Sequence, residues 1–212
     1  MTDRKKTIIF IVLSMIILLT IITYLFDVPI VKFVESIRSD SLDYLFLSIT
    51  FASNVFIIFF FLTTLFLWKE HKRRWILPLW FASFFSVLTS YVLKVFVHRH
   101  RPFQAGWVSV LSIAFNFMRD NFNTWNFSFP SFQAMLVFSA VPLLNKEFKN
   151  FRYIWIIFAC FVAFSRVYFG VHYLSDVMAG ALIGYLIGVA VVKIEEKYSF
   201  GKKVIKKLKI SN

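Results

Sequence analysis

Ser165-Arg166-Val167-Tyr168-Phe169-Gly170-Val171-His172-Tyr173-Leu174-Ser175-Asp176 joins the end of one apolar block, Tyr153 to Phe164, to the start of another, Ser175 to Val192. Both blocks are apolar and free of proline, so the stretch reads as the connection between two membrane helices. An arginine, a histidine and an aspartate at such a place are costly unless they pair or line a polar cavity, so they mark a functional site. Gly180, Gly184 and Gly188 repeat every four residues along the second block, the small-residue face that lets membrane helices approach closely. Asp176 continues that row and is expected to face the interior of a bundle.

The rest of the chain has the same character. Its 212 residues are 59% hydrophobic and 20% aromatic, in blocks long enough to cross a bilayer. Thr7 to Phe26 is unbroken behind Arg4, Lys5 and Lys6. It is too long for a signal-peptide core and has no small-residue cleavage site before Asp27 and Pro29, so it reads as a retained first span. Ile30, Phe33, Val34 and Ile37 then alternate with Lys32, Glu35, Ser36 and Arg38 at helical spacing, which predicts a short amphipathic interfacial helix. A second span is expected over Leu42 to Trp68, a third over Trp75 to Val97, and shorter ones over Ser131 to Leu144 and Tyr153 to Phe164. With Ser175 to Val192 the expectation is an all-α bundle of six membrane helices. No repeat or linker divides it, so one domain over 1–212 with a basic tail at 193–212 is the simplest organisation.

Charge orients the bundle. The N-terminus, the 69–74 loop, the 146–152 hairpin and the tail carry most of the 24 lysines and arginines, and six spans put all four on one side. By the positive-inside rule that side is cytoplasmic, in a cell membrane. The net charge of +13 is therefore a matter of topology and anionic headgroups, and nucleic acid is not an expected partner. Lys32, Arg38, Lys94, Arg99, Arg101, Arg119 and Arg166 fall on the opposite side, against the trend. A rise of about 1.5 Å per residue puts Ser131 and Arg166 each roughly 20 Å above the cytoplasmic edge. Asp176 comes out near 25 Å on the same scale, below the outer surface of a core about 30 Å thick. The lone cysteine, Cys160, lies inside an apolar block and reads as packing.

Three groups thus share one face: Lys94 with Arg101-Pro102; Ser128-Phe129-Pro130-Ser131; and Ser165-Arg166 with His172 and Asp176. In order and spacing they resemble the three signature motifs of the type 2 phosphatidic acid phosphatase (PAP2) superfamily of membrane lipid phosphatases. The chemistry agrees with the resemblance. Lys94, Arg101 and Arg166 are three cations for phosphoryl oxygens, and Ser131 follows Pro130 at a helix start, where backbone N–H groups also favour an anion. A neutral His172 can attack phosphorus while Asp176 holds its other nitrogen. The resemblance implies that His172 forms a phosphohistidine which water hydrolyses, with Asp176 orienting it. No carboxylate cluster or His/Cys spacing suggests a metal, so no metal or other cofactor is expected.

The second motif departs from the family. Pro130-Ser131-Phe132-Gln133 stands where Pro-Ser-Gly-His is usual, so the histidine that would protonate the leaving group is missing. Phe132 keeps a backbone N–H for phosphate, and Gln133 can donate a hydrogen bond but not a proton. The expected substrate is therefore a lipid diphosphate, such as a polyprenyl diphosphate, whose leaving group needs no proton. His98 or His100 could otherwise supply the acid. A phosphate-binding lipid receptor or transporter that does not hydrolyse, and a lipid phosphotransferase, remain open readings. No obligate protein partner is implied; membrane lipids and the lipid phosphate are the expected partners. The aromatics Phe103, Trp107, Phe115, Phe117, Phe122, Trp125, Phe127 and Phe129 read chiefly as an interfacial belt.

Overall fold

In a computed structural model of the chain, residues 14–15, 17–109 and 127–210 are described, the last three for their backbone only. All regular structure among them is helical: α1 (Ile17–Leu25), α2 (Asp27–Ser36), α3 (Asp40–Ala52), α4 (Val55–Leu67), a 3-10 turn (Glu70–Trp75), α5 (Ile76–Val97), α6 (Phe132–Glu147), α7 (Phe151–Tyr168), α8 (Leu174–Tyr198) and α9 (Phe200–Ile210). The start of the first span, Arg119, and the aromatics at 115, 117, 122 and 125 lie outside the described residues.

The centre of the bundle is α6, buried almost all round from Ala134 to Leu144 and packed against α5, α7 and α8. Its tightest neighbour is α8, because the glycine row leaves room for backbone. A Cβ on Gly184 would stand 2.1 Å from the Met135 carbonyl oxygen, and one on Gly180 2.5 Å from that of Ser131. Leucines, phenylalanines and tryptophans of α4, α5, α6 and α7 fill the core at one end. Val31, Val34, Phe46, Val167, Tyr168, Phe169 and Val177 fill it at the end where His172 lies. Large apolar side chains of α1, α3, α4 and α5 point outward, among them Leu25, Phe56, Phe60, Phe84 and Phe96, as expected where the solvent is lipid. The protein is a multi-pass membrane protein.

Two expectations change. The second span is not one helix. It breaks at Ser53-Asn54 with a 60° bend between α3 and α4, and the Asn54 side chain caps α4 by accepting from Phe56 N at 2.9 Å. The first span likewise turns by 72° into α2, which is the amphipathic helix read from the sequence, beginning three residues earlier. Three stretches are long and apolar enough to cross a membrane alone, Glu70–Val97, α7 and α8, and the two bent pairs bring the number to five. The remaining apolar helix, α6, has 16 residues, about 24 Å at helical rise, and is sheathed by its neighbours.

At the opposite end the hairpin and tail are tied down by two glutamates. Glu147 accepts from Arg74 at 3.0 Å and from the Trp75 indole at 2.7 Å. Glu195 accepts from Gly201 N at 2.8 Å, which turns the chain into the lysine-rich α9.

Candidate active site

The connection between α7 and α8 is shaped by one carbonyl and one glycine. The Arg166 oxygen at the end of α7 accepts from both Val171 N (3.1 Å) and His172 N (3.2 Å). Gly170 turns the chain at φ +68. That delivers the His172 imidazole, 2% exposed, into the bundle.

Arg101 Nη1 donates to the Val171 carbonyl at 2.9 Å and stands 3.3 Å from His172 Nε2. A guanidinium has donors only, so the ring nitrogen facing it carries a lone pair and Nδ1 carries the proton. Burial, reinforced by Arg101, Lys94 and Arg166, pushes the His172 pKa well below its ordinary value. The lowered pKa favours the neutral ring, whose Nε2 lone pair faces the Arg101 guanidinium. Burial draws Arg101 down to about 10, which leaves it charged at neutral pH.

Lys94, on the last turn of α5, reaches the Phe127 carbonyl and is buried. Arg166 is held from the break in the second span: Nη2 donates to Thr50 Oγ1 at 2.8 Å and to Ser53 Oγ at 3.2 Å, and Nε reaches Ser165 Oγ at 3.3 Å. None of these bonds uses Nη1. The C-terminal end of α3, negative by its peptide dipoles, thus meets a buried guanidinium. A broken helix is tolerated at such depth where protein surrounds it. Thr50→Val removes the shorter bond and is expected to cost about 1.5–3 kcal/mol, the worth of a hydrogen bond to a charged group. A lowered unfolding midpoint in detergent, largely restored in Thr50→Ser, checks it.

Ser131 is the N-cap residue of α6. Its N–H donates to the Asp176 carbonyl at 3.0 Å, while its Oγ is fully buried and has no hydrogen-bond partner among the described residues. Phe132 and Gln133 open the helix and are half-buried. His98 and His100 are both exposed, and His98 packs edge-on against Phe127 with ring centres 4.6 Å apart.

Asp176 is fully buried as expected, but its partners are not those expected. Its Oδ2 lies 3.9 Å from His172 Nδ1, too far for a hydrogen bond, and Nδ1 has none among the described residues. The same oxygen accepts instead from Ser128 Oγ and from Tyr173 N at 2.9 Å, the latter closing a capping box on α8. Oδ1 accepts from Arg99 Nη1 at 2.6 Å. The ion pair in the bundle is thus Arg99 with Asp176, and Arg166 takes no part in it. Arg99 Nη2 continues to Asp27 Oδ2 at 2.7 Å, and the guanidinium lies 4.0 Å from the Tyr173 ring centre. Burial lowers the Arg99 pKa, and the two carboxylates outweigh it, leaving it above the ordinary value. Sequence reasoning counted Arg99 only as an unexplained charge and gave Asp27 no role.

Among the described residues no three His, Cys, Asp or Glu side chains gather to hold a metal ion. What gathers is an imidazole with Arg101, Lys94 and Arg166 around it and a carboxylate behind, and the main chain of Ser131, whose hydroxyl has no partner among the described residues, is bonded to that of Asp176. That constellation can bind a phosphoryl group and present it to a nitrogen lone pair.

The chain is similar to several known proteins. Bacitracin transport permease protein BcrC of Bacillus licheniformis is 41% identical over 73 residues, 34% of this chain and 36% of that protein. An undecaprenyl-diphosphatase of Sulfolobus acidocaldarius is 44% identical over 71 residues, 33% and 34% of the two chains. The matched stretch thus spans about a third of the length of either relative. Two crystal structures share the fold. The Bacillus subtilis transmembrane PAP2-type phosphatidylglycerolphosphate phosphatase has a TM-score of 0.67 at 23% identity, over 88% of this chain and 96% of that one. Aquifex aeolicus LpxE has 0.62 at 24%, over 79% and 94%. The family model for the PAP2 superfamily matches residues 75–199, the stretch that carries all three motifs, and the chain belongs to that superfamily.

Proposed function

We propose that the protein is a metal-independent membrane lipid diphosphatase, with His172 as nucleophile and the lipid diphosphate bound from the outer side of a cell membrane. The observation that carries this reading is the neutral, buried imidazole whose lone-pair nitrogen faces Arg101 at 3.3 Å. A phosphoryl group held by Arg101, Lys94, Arg166 and Ser131 Oγ lies in front of that nitrogen. The backbone N–H groups of Phe132 and Gln133 at the start of α6 add donors.

Nε2 donates its electron pair to the terminal phosphorus, and the bridging P–O bond breaks with its electrons leaving on the lipid monophosphate. The ring gains positive charge as the N–P bond forms, and Asp176 stabilises it from 3.9 Å. Water then attacks phosphorus, the N–P bond breaks, and Nε2 recovers its lone pair. One water proton stays on the phosphate released and the other passes to solvent.

Gln133 supports a diphosphate over a monoester. An alkoxide leaving group has a conjugate acid of pKa about 15.7 and needs a proton. A lipid monophosphate, with a second pKa of about 6, leaves without one. The undecaprenyl-diphosphatase relative accords with this choice. General acid catalysis is worth roughly 10²–10⁴-fold. The expected result is faster phosphate release from farnesyl diphosphate than from phosphatidic acid, in detergent with chelator present. Gln133→His should raise release from phosphatidic acid more than from farnesyl diphosphate. A wild type that prefers phosphatidic acid overturns the diphosphate assignment.

Orientation rests on charge. The basic tail, the 69–74 turn and the 146–152 hairpin pack together at the end opposite His172, which supports a cytoplasmic placement of that end by the positive-inside rule.

A further inference from the structure

Asp27 sits at the corner where α1 turns by 72° into α2, outside the 75–199 region that the family model matches. It is 2% exposed and its carboxylate is fully engaged. Oδ2 accepts from Arg99 Nη2 at 2.7 Å and from Ser175 Oγ, and Oδ1 accepts from Ser175 N at 3.1 Å. Ser175 precedes Asp176, and Arg99 Nη1 bridges Ser175 Oγ (2.8 Å) and Asp176 Oδ1 (2.6 Å). One guanidinium is thus stretched between two carboxylates that are far apart in sequence. Burying an extra charge is costly and weak evidence for stability alone.

We propose that Asp27 is a positioning residue for the reaction, acting through Arg99 to fix the Asp176 carboxylate behind His172. The inference rests on the assignment of His172 as nucleophile. With Asp27 in place, both ends of the Arg99 fork are committed and the group Asp27, Arg99, Asp176 carries a net negative charge. Without it, Arg99 neutralises Asp176 alone and one end of the fork is loose. The charge that develops on the imidazole during attack then loses its counter-charge, whereas the cations that hold the phosphate are untouched. The loss falls on kcat and not on KM. The first span and α2 thereby become part of the active site, although none of the three motifs lies in them.

The test is Asp27→Asn, which keeps the shape and one accepting oxygen, removes the charge and replaces the other oxygen with an NH2 group, in purified full-length protein with farnesyl diphosphate. Expected is a fall in kcat of roughly tenfold, the size of one pKa unit of differential interaction. KM should be unchanged or lower, the unfolding midpoint close to wild type, and Asp27→Glu partly restored. In an Arg99→Met background the same substitution should have little further effect. A rise in KM with kcat unchanged, or equal losses with and without Arg99, overturns the role of Asp27 and leaves His172 standing. A wild type that releases no phosphate from either lipid overturns the diphosphatase reading and this inference together.

Discussion

His172→Ala is expected to reduce phosphate release from farnesyl diphosphate by about 10⁴-fold or more, the scale on which loss of a nucleophile acts. The imidazole is the group assigned to form the covalent bond to phosphorus, whereas Arg101 and Arg166 stabilise charge. Removing it leaves the cations and Ser131 Oγ in place, so inorganic phosphate should still inhibit whatever residual activity is measured, or still bind where none is left. His172 is buried, and the alanine leaves a cavity that can lower stability. His172→Gln, which fills the volume without a nucleophilic nitrogen, separates the effects: its unfolding midpoint should approach wild type while its activity stays lost. Retention of more than about a tenth of the activity in the glutamine variant places the chemistry elsewhere.

Gly184→Val is expected to cost at least about 100-fold in activity, with a lower unfolding midpoint. A Cβ at this position falls 2.1 Å from the Met135 oxygen and 2.7 Å from its Cα, both main-chain atoms that cannot swing aside. Ordinary contact begins near 3.4 Å, so α6 and α8 must part by on the order of 1 Å. The same pair of helices carries Ser131 and Asp176, joined main chain to main chain at 3.0 Å, with Ser128 bonded to the carboxylate. A displacement of 1 Å in such a constellation costs about 10²-fold. Leu186→Ala, on an exposed flank of the same helix, should leave activity near wild type. Equal effects of the two substitutions contradict the role given to the glycine row.

The site was legible where physics forbids chance. Lys94, Arg166 and Asp176 stand in blocks otherwise fit for hydrocarbon, so their cost marked them, and the glycine row showed which face of α8 meets backbone. The helical class followed from block length. What stayed hidden depends on partners far along the chain. Asp27 has no legible role in the sequence because nothing local points to Arg99, 72 residues away. Arg99 itself carried a signal, a charge on the wrong side of the bundle, which a search for a buried carboxylate could have used. The break at Ser53-Asn54 has neither Pro nor Gly to announce it. Asn54, a preferred N-cap type, was the available clue. By analogy with a catalytic triad and from the family resemblance, Asp176 is expected to hold the second nitrogen of His172. The structure commits that carboxylate to Ser128, Tyr173 and Arg99 instead, leaving its Oδ2 3.9 Å from Nδ1.

The central claim is a covalent bond between His172 Nε2 and phosphorus during turnover. The most direct measurement is to mix purified protein with farnesyl diphosphate labelled in its terminal phosphate, quench in alkali, and map the label by mass spectrometry. The account predicts a phosphoryl group on the His172 peptide, stable to alkali, lost in acid and absent from His172→Gln. Steady release of phosphate with no label on His172, or with label on another residue, contradicts it.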